Sequence, residues 1–300
     1  MSDNQRHVAM ITGGNSGIGF ATATKLAMQG FHVILASRNQ QASAQAITRI
    51  LAGNPNAAVE SIPLDLASFA SVRQCVSLFQ ARDYPLHILI NNAGGSVPGK
   101  EARFTEDGFE MTFGTNHLGH FLFTNLLLEN LKQSAPARVI TVSSELHNPA
   151  YARGPGPDFD LDNLKGEKYY DPQVFYRTSK LANMWFAYEL QRRLMGTGVT
   201  SNAVCPGFVP AAIAARRKSS IERFFYAQIM ARMPFARSLE QASDSYMVAA
   251  TNPRFEGVGG KFIVDGQEKR SSDESYDEQK ARRLWEMSWE WCGLDEIHSS

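Results

Sequence analysis

Short apolar runs alternate with longer stretches of mixed polarity from the start of the chain. His7 to Ile11, Phe31 to Ala36, Val59 to Pro63, Leu86 to Ile90, Arg138 to Ser143 and Val199 to Cys205 read as strands, with Gly260 to Val264 the last. Phe20 to Gln29, Gln40 to Leu51, Phe69 to Ala81, Thr112 to Lys132 and Phe175 to about Met195 read as helices between them. The first is closed by Gly30 and the second by Gly53-Asn54-Pro55. Strand and helix repeated at this spacing imply parallel pairing, since each crossover must travel back over a face of the sheet. The expected fold is therefore α/β, one domain built on a doubly wound parallel sheet with helices on both faces.

Two intervals break this rhythm. Residues 145–175 are loop-rich around Gly154-Pro155-Gly156-Pro157 and are read as a substrate loop. Residues 208–240 carry Phe224, Phe225, Tyr226, Ile229, Met230 and Met233 on what reads as an amphipathic helix, either facing the core or lying over a ligand as a lid. The domain is drawn over residues 1–270, with 271–300 as a C-terminal helical tail. In that tail Arg282, Trp285 and Trp289 have helical spacing, which indicates docking on the domain or a subunit contact and leaves a homo-oligomer open.

Composition narrows the class. Of 300 residues, 43% are hydrophobic and 10% aromatic, enough for a large core and too apolar for a disordered chain. Thirty basic side chains balance thirty acidic ones, which argues against a nucleic-acid partner. The balance is uneven along the chain, however. No acid stands between Asp3 and Glu60, whereas residues 271–300 hold eight acids against Lys280, Arg282 and Arg283. Cys75, Cys205 and Cys292 are spaced for neither a zinc site nor a disulfide framework. No run approaches the roughly 18 apolar residues of a membrane span. Met1 to His7 lacks the apolar core of a signal peptide. A soluble, cytoplasmic protein is expected.

Thr12-Gly13-Gly14-Asn15-Ser16-Gly17-Ile18-Gly19 joins the first strand to the first helix. Glycines there let the backbone turn sharply and approach a pyrophosphate, while the helix start offers unpaired N–H groups to the anion. Strand, glycine turn, helix and second strand in one short unit point to a Rossmann-type dinucleotide site. The second strand ends in Ala36-Ser37-Arg38-Asn39, where an NAD site commonly places an acid for the ribose hydroxyls. A carboxylate repels a 2′-phosphate and a guanidinium bonds it, so Arg38 favours NADP(H).

Tyr176 and Lys180 stand four residues apart, on one face of the helix that begins there. A nearby cation draws a phenol toward acid–base work near neutral pH. Upstream, Thr141-Val142-Ser143-Ser144 ends a strand, and open parallel sheets deliver such ends to the ligand crevice. His117 and His120 share a helix face, but no third ligand stands at metal-site spacing, so packing or hydrogen bonding is favoured and no metal is expected. Cys205 has no adjoining base and reads as an inert thiol.

With these pieces in order, the chain resembles the short-chain dehydrogenase/reductase family over roughly residues 7 to 266. Thr12 to Gly19 is similar to its TGxxxGxG turn, Asn91-Asn92-Ala93-Gly94 to its NNAG motif, Tyr176 to Lys180 to its YxxxK motif, and Pro206-Gly207 to the PG after a late strand. Asn116-His117-Leu118-Gly119-His120-Phe121, the serine pair and Tyr176 to Asn183 look most like its retinol-dehydrogenase branch, which also holds protochlorophyllide reductases and WW-domain-containing oxidoreductases. The resemblance implies an enzyme that interconverts a carbonyl and an alcohol on a hydrophobic small molecule, retinoid-, steroid- or polyketide-like, with NADP(H). It makes Tyr176 the proton donor or acceptor and Lys180 the ribose-binding partner of that phenol. Ser144 would hydrogen-bond the substrate oxygen, and Asn116 would hold a water in the proton relay. Gly13, Asn15, Ser16, Gly17, Ile18, Gly19, Arg38, Asp65, Leu66, Asn91, Ala93, Gly94, Pro206, Gly207 and Val209 are implied around the cofactor, with Asn92 supporting the sheet. Three departures stand out. Phe208 to Ala212 lacks the threonine that often follows PG, the stretch from Ser144 to Tyr176 is long, and the chain lacks the membrane anchor and WW domains of some members. The alternatives are a non-catalytic dinucleotide sensor or scaffold with the same fold, and a protochlorophyllide-reductase-like C=C reduction.

Overall fold

A computed structural model describes residues 7–151, 163–164, 166–215 and 219–294. Its strands are β1 (Val8–Thr12), β2 (His32–Ser37), β3 (Val59–Pro63), β4 (Ile88–Asn91), β5 (Ala137–Val142), β6 (Val199–Cys205), β7 (Phe262–Val264) and β8 (Gln267–Lys269). They form one sheet in the order β3-β2-β1-β4-β5-β6-β7-β8, parallel throughout except for the antiparallel edge strand β8. The chain builds outward from β1 to β3 on one side, then returns beside β1 as β4 and builds the other way. The carboxyl ends of β1 and β4 therefore flank the switch point at which such sheets bind ligands.

The α-helices are α1 (Gly17–Met28), α2 (Gln40–Gly53), α3 (Phe69–Gln80), α4 (Met111–Phe113), α5 (Gly119–Leu126), α6 (Leu128–Gln133), α7 (Pro172–Arg193), α8 (Pro210–Ala214), α9 (Ser220–Phe224), α10 (Leu239–Thr251) and α11 (Glu278–Trp291). Side chains of β1 and β2 alternate between two cores. Ala9, Ile11, Val33 and Leu35 pack with Leu26, Ile50 and Tyr246 of α1, α2 and α10. Val8, Met10, Ile34 and Ala36 face the opposite layer, which holds Phe79, Phe121, Trp185 and Trp285 of α3, α5, α7 and α11. A sheet covered on both faces needs apolar residues at successive positions, which is why these strands read as unbroken runs. Among the described residues no helix is long and apolar enough to cross a membrane.

Four expectations need correction. Thr112 to Lys132 is not one helix: α4 gives way to a π-turn at Gly114–Leu118 before α5 and α6. The two glycines that bound the turn are tightly packed, since a Cβ on Gly114 would lie 2.5 Å from Thr105 Cγ2 and one on Gly119 2.5 Å from the Leu66 carbonyl oxygen. The expected amphipathic helix of 208–240 is a series of short pieces: α8, α9, a π-turn at Phe225–Ile229 and a 3₁₀ turn at Met230–Arg232. None of Ile221, Phe224, Phe225, Ile229 and Met233 reaches the core, and Ile221 is 80% exposed. Helix α7 starts at Pro172 instead of Phe175, because Asp171 accepts hydrogen bonds from the Gln173 and Val174 N–H groups and the proline occupies the first turn. Strand β8 was missed because Gln267, Glu268 and Lys269 are all exposed and carry no apolar signal. Asp265 and Gly266, both at positive φ, make the tight connection from β7. Residues 154–157 lie outside the described residues.

The C-terminal segment belongs to the same core as the domain. Trp285 is buried between Phe121 and Phe186, with ring centroids 4.8 and 5.9 Å away, under the Arg193 guanidinium. Trp285→Ala is expected to cost about 3–5 kcal/mol of folding stability, read from the urea midpoint at unchanged slope. A loss under about 1 kcal/mol, the size of an ordinary surface change, would show that α11 packs as an appendage.

Candidate active site

The turn after β1 is shaped for close approach. Gly13 and Gly17 take left-handed φ of +65° and +55°, and a Cβ on Gly19 would sit 2.5 Å from the Gly13 carbonyl oxygen. Ser16 caps α1 without a side-chain hydrogen bond, and the first turn of the helix holds no acid. Free N–H groups, the positive end of the helix and an uncrowded glycine surface suit a pyrophosphate. The residues present thus fit a dinucleotide.

Thr12 ties this turn to the centre of the sheet. Its Oγ1 accepts the N–H groups of Asn92 and Ala93, both at 2.9 Å, and meets His120 Nε2 at 2.9 Å. The Nδ1 of His120 lies 3.1 Å from the Asn116 carbonyl oxygen, which can only accept, so Nδ1 carries the ring proton and Nε2 takes the Thr12 hydroxyl proton. Burial lowers the pKa of His120 to about 4, and Lys180 pushes the same way, so the ring is neutral at physiological pH. The Asn116 amide is fully committed. Its Oδ1 accepts from Gly95 N at 2.9 Å, and its Nδ2 donates to the Gly95 carbonyl at 3.1 Å and to Ser179 Oγ at 2.9 Å. A Cβ on Gly94 would collide with this amide, so the glycine of the NNAG turn is required by Asn116. The π-turn at Gly114–Leu118 holds Asn116 in that position, a common use of such turns.

Helix α7 brings Tyr176 and Lys180 to the end of β5. Lys180 is 4% exposed, its Nζ donates to the Val142 carbonyl at 3.0 Å, and the same carbonyl accepts Asn183 Nδ2 at 3.0 Å. The Lys180 amine lies 5.6 Å from the centre of the Tyr176 ring. The two serines at the strand end differ sharply. Ser143 is buried and donates its Oγ proton to the Lys180 carbonyl at 2.8 Å. Ser144 is half-buried, and its Oγ accepts the Leu146 N–H at 3.2 Å, which leaves its own proton for another acceptor. Lys180 is thus tied to the end of β5 through Val142, next to Ser144 in the chain, and Asn116 is tied through Ser179 to the turn of α7 that carries Tyr176.

The remaining predicted residues are distributed more widely. Arg38, with its side chain 77% exposed, extends from the end of β2 with Nη1 3.5 Å from Asp65 Oδ2. Asp65 is partly occupied, accepting the Ala67 N–H at 3.0 Å, and Leu66 is buried beside Gly119. Asn15 donates to the Asn39 carbonyl at 3.3 Å, and Ile18 packs against the core under the turn. The amides of Asn91 and Asn92 have different partners, and Asn92 joins the end of β4 to that of β1, as expected of a sheet-supporting residue. Asn91 is enclosed, with Nδ2 on Thr124 Oγ1 at 2.8 Å, whereas Asn92 reaches the glycine turn, its Nδ2 on the Thr12 carbonyl at 2.7 Å. Pro206, Gly207 at φ +75° and buried Val209 lead from β6 into α8, with Cys205 Sγ accepting the Gly207 N–H. Burial pushes the Cys205 thiol up to about 11, which keeps it protonated. His117 points away from His120 to Ser288 Oγ at 3.1 Å, anchoring α11. His120, Ser179 and Asn183 were missed as parts of the site. Helical spacing from Asn116 and Tyr176 was their one sequence signal.

Residues 7–155 match the family described as short chain dehydrogenase. Polyprenol dehydrogenase of Homo sapiens is 39% identical over 97% of this chain and 86% of its own length. Retinol dehydrogenase 11 of Mus musculus is 39% identical over 96% and 86% respectively. WW domain-containing oxidoreductase of Danio rerio is 41% identical over 94% of this chain and 67% of its length. A solved structure from Mycobacterium paratuberculosis superposes with a TM-score of 0.72 at 33% identity, covering 96% of this chain and 94% of its own. The actinorhodin polyketide ketoreductase, solved with NADPH, superposes at 0.65 and 22% identity, covers 88% of this chain and 97% of its own, and shares the fold. The chain belongs to the short-chain dehydrogenase/reductase family, in its retinol-dehydrogenase-like branch.

Proposed function

We propose that this oxidoreductase interconverts a carbonyl and an alcohol on a hydrophobic small molecule with NADP(H), using Tyr176 as proton donor or acceptor. The observation that carries the reading is the junction of β5 and α7, which holds Tyr176, Lys180 and the free hydroxyl proton of Ser144 at one strand end. A nicotinamide dinucleotide, when bound, supplies or takes the hydride. Gly13, Gly17, Gly19 and the start of α1 would hold its pyrophosphate, and Lys180 its ribose. The chain's own residues manage the substrate oxygen. Ser144 donates a hydrogen bond that strengthens as negative charge grows there, and Tyr176 delivers the proton. Oxidation runs the same contacts in reverse.

Arg38 supports NADP(H), since an exposed guanidinium at the end of β2 with only a long contact to Asp65 is available to a 2′-phosphate. A lipophilic substrate is supported by the exposed Phe224, Phe225, Ile229 and Met233. The polyprenol and retinol of the relatives' names point the same way.

Two measurements test these assignments. Tyr176→Phe is expected to lower kcat by about 10²–10⁴-fold while cofactor affinity, followed by fluorescence titration, is unchanged. An active Tyr176→Phe enzyme would overturn the mechanism. The parent protein is expected to bind NADPH more tightly than NADH, and Arg38→Ala to erase about 10- to 100-fold of that preference, the size of one or two charge-assisted hydrogen bonds. Equal affinity of the parent for the two cofactors would remove Arg38 from the argument. The substrate is sought by following NADPH oxidation against retinal, steroid, quinone and polyketide ketones.

A further inference from the structure

Three residues beyond Ser144, inside the first 3₁₀ turn of the long loop, lies a buried imidazole that the proposed mechanism does not use. His147 is 1% exposed. Its Nδ1 lies 2.6 Å from the carbonyl oxygen of Ser144, and its Nε2 lies 3.1 Å from the backbone N–H of Ser272, far along the chain. Each partner has one possible role. A carbonyl only accepts, so Nδ1 carries the proton, and a backbone N–H only donates, so Nε2 is bare. The ring is therefore one neutral tautomer. Desolvation by burial depresses its pKa, in keeping with that assignment.

Neighbouring contacts fix the same piece of chain. Phe262 of β7 meets the imidazole edge-on with centroids 5.1 Å apart. Glu145 pairs with Lys269 of β8. Ser272 opens a turn in which Ser271 and Ser275 share a 2.6 Å hydrogen bond, and Tyr188 of α7 reaches Ser271 at 2.8 Å. The loop that presents Ser144 is thus held from the C-terminal side of the chain, across the edge of the sheet.

We propose that His147 is a positioning residue for Ser144, its Nδ1–H fixing the serine's carbonyl against the Ser271–Ser275 turn so that the Oγ proton stays aimed at the substrate oxygen. The inference rests on the role given to Ser144 above. Ser144 Oγ already accepts from Leu146 N–H, so the direction of its free proton follows the backbone torsions of this turn. A rotation there moves the donor while leaving the dinucleotide site intact.

The test uses two near-isosteres in the full-length protein. The amide nitrogen of Asn stands where Nδ1 does and preserves the donor to Ser144, whereas the amide oxygen of Gln reaches toward Ser272 and loses that donor. With retinal as the probe carbonyl, His147→Gln is expected to lower kcat by about 10- to 100-fold, the cost of a misplaced catalytic group, with the KM for NADPH unchanged. His147→Asn should retain most of kcat. In a Ser144→Ala background, His147→Gln should cost nothing further, because its effect runs through the serine. Losses that multiply in the double variant, or lowered melting temperatures with kcat intact in both single variants, overturn the proposal. Absence of turnover by the parent would count against the proposed function, because the clamp is also read without turnover. A single Nδ1–H tautomer in the imidazole nitrogen spectrum, with faster amide exchange over Ser144 to His147 in His147→Gln, supports it. Exchanging tautomers or unchanged amide exchange overturns it.

Discussion

A lysine amine enclosed at the ends of parallel strands constrains much of what surrounds it. Lys180 loses nearly all its water, and a polar group in that position needs acceptors supplied by the protein. The carbonyl of Val142 provides one because β5 ends there, and Ser143 returns a hydrogen bond to the backbone of Lys180. The exchange locks α7 to β5 at one register. Tyr176 sits one helical turn before Lys180, so the same lock sets where its ring lies relative to the end of β5. Moving α7 by a residue would strand the amine and shift Tyr176 away from the strand end together.

A second chain of hydrogen bonds runs from the glycine turn to the same junction. Thr12 connects to His120, His120 to the Asn116 carbonyl, and the Asn116 amide to Ser179 on α7. The Asn116 carbonyl sets which nitrogen of His120 carries the proton, and the depressed pKa of His120 keeps the ring neutral at physiological pH. The glycine turn and α7 are therefore parts of one hydrogen-bonded network, in which loss of a member leaves a buried partner unpaired.

Much of this was legible in the sequence where the physics is local or periodic. Unbroken apolar strands announced a sheet covered on both faces, and the glycine turn announced its bend. What escaped depended on distant chain. The π-turn around Asn116 is bounded by Gly114 against Thr105 and Gly119 against the Leu66 carbonyl, distant contacts that are not visible within Thr112 to Lys132. Strand β8 has no apolar residue and is defined by its pairing alone, although Asp265-Gly266 offered a turn signal. Motif position alone says nothing of which NNAG amide meets Thr124 and which meets Thr12. His147 gave no signal, since its partner Ser272 lies on the other side of the sheet's edge strands.

From Ser219 to Ala236 no side chain is buried, although the stretch contains seven large apolar residues in Ile221, Phe224, Phe225, Ile229, Met230, Met233 and Phe235. Core positions resist change because altered volume costs several kcal/mol, but substitutions at positions like these shift stability by only about 0.5 kcal/mol either way. This segment can therefore drift in sequence while the sheet, the glycine turn and the Tyr176–Lys180 helix stay fixed. If the segment lies over the substrate, as the proposed function has it, change in what the enzyme recognises has an open route there.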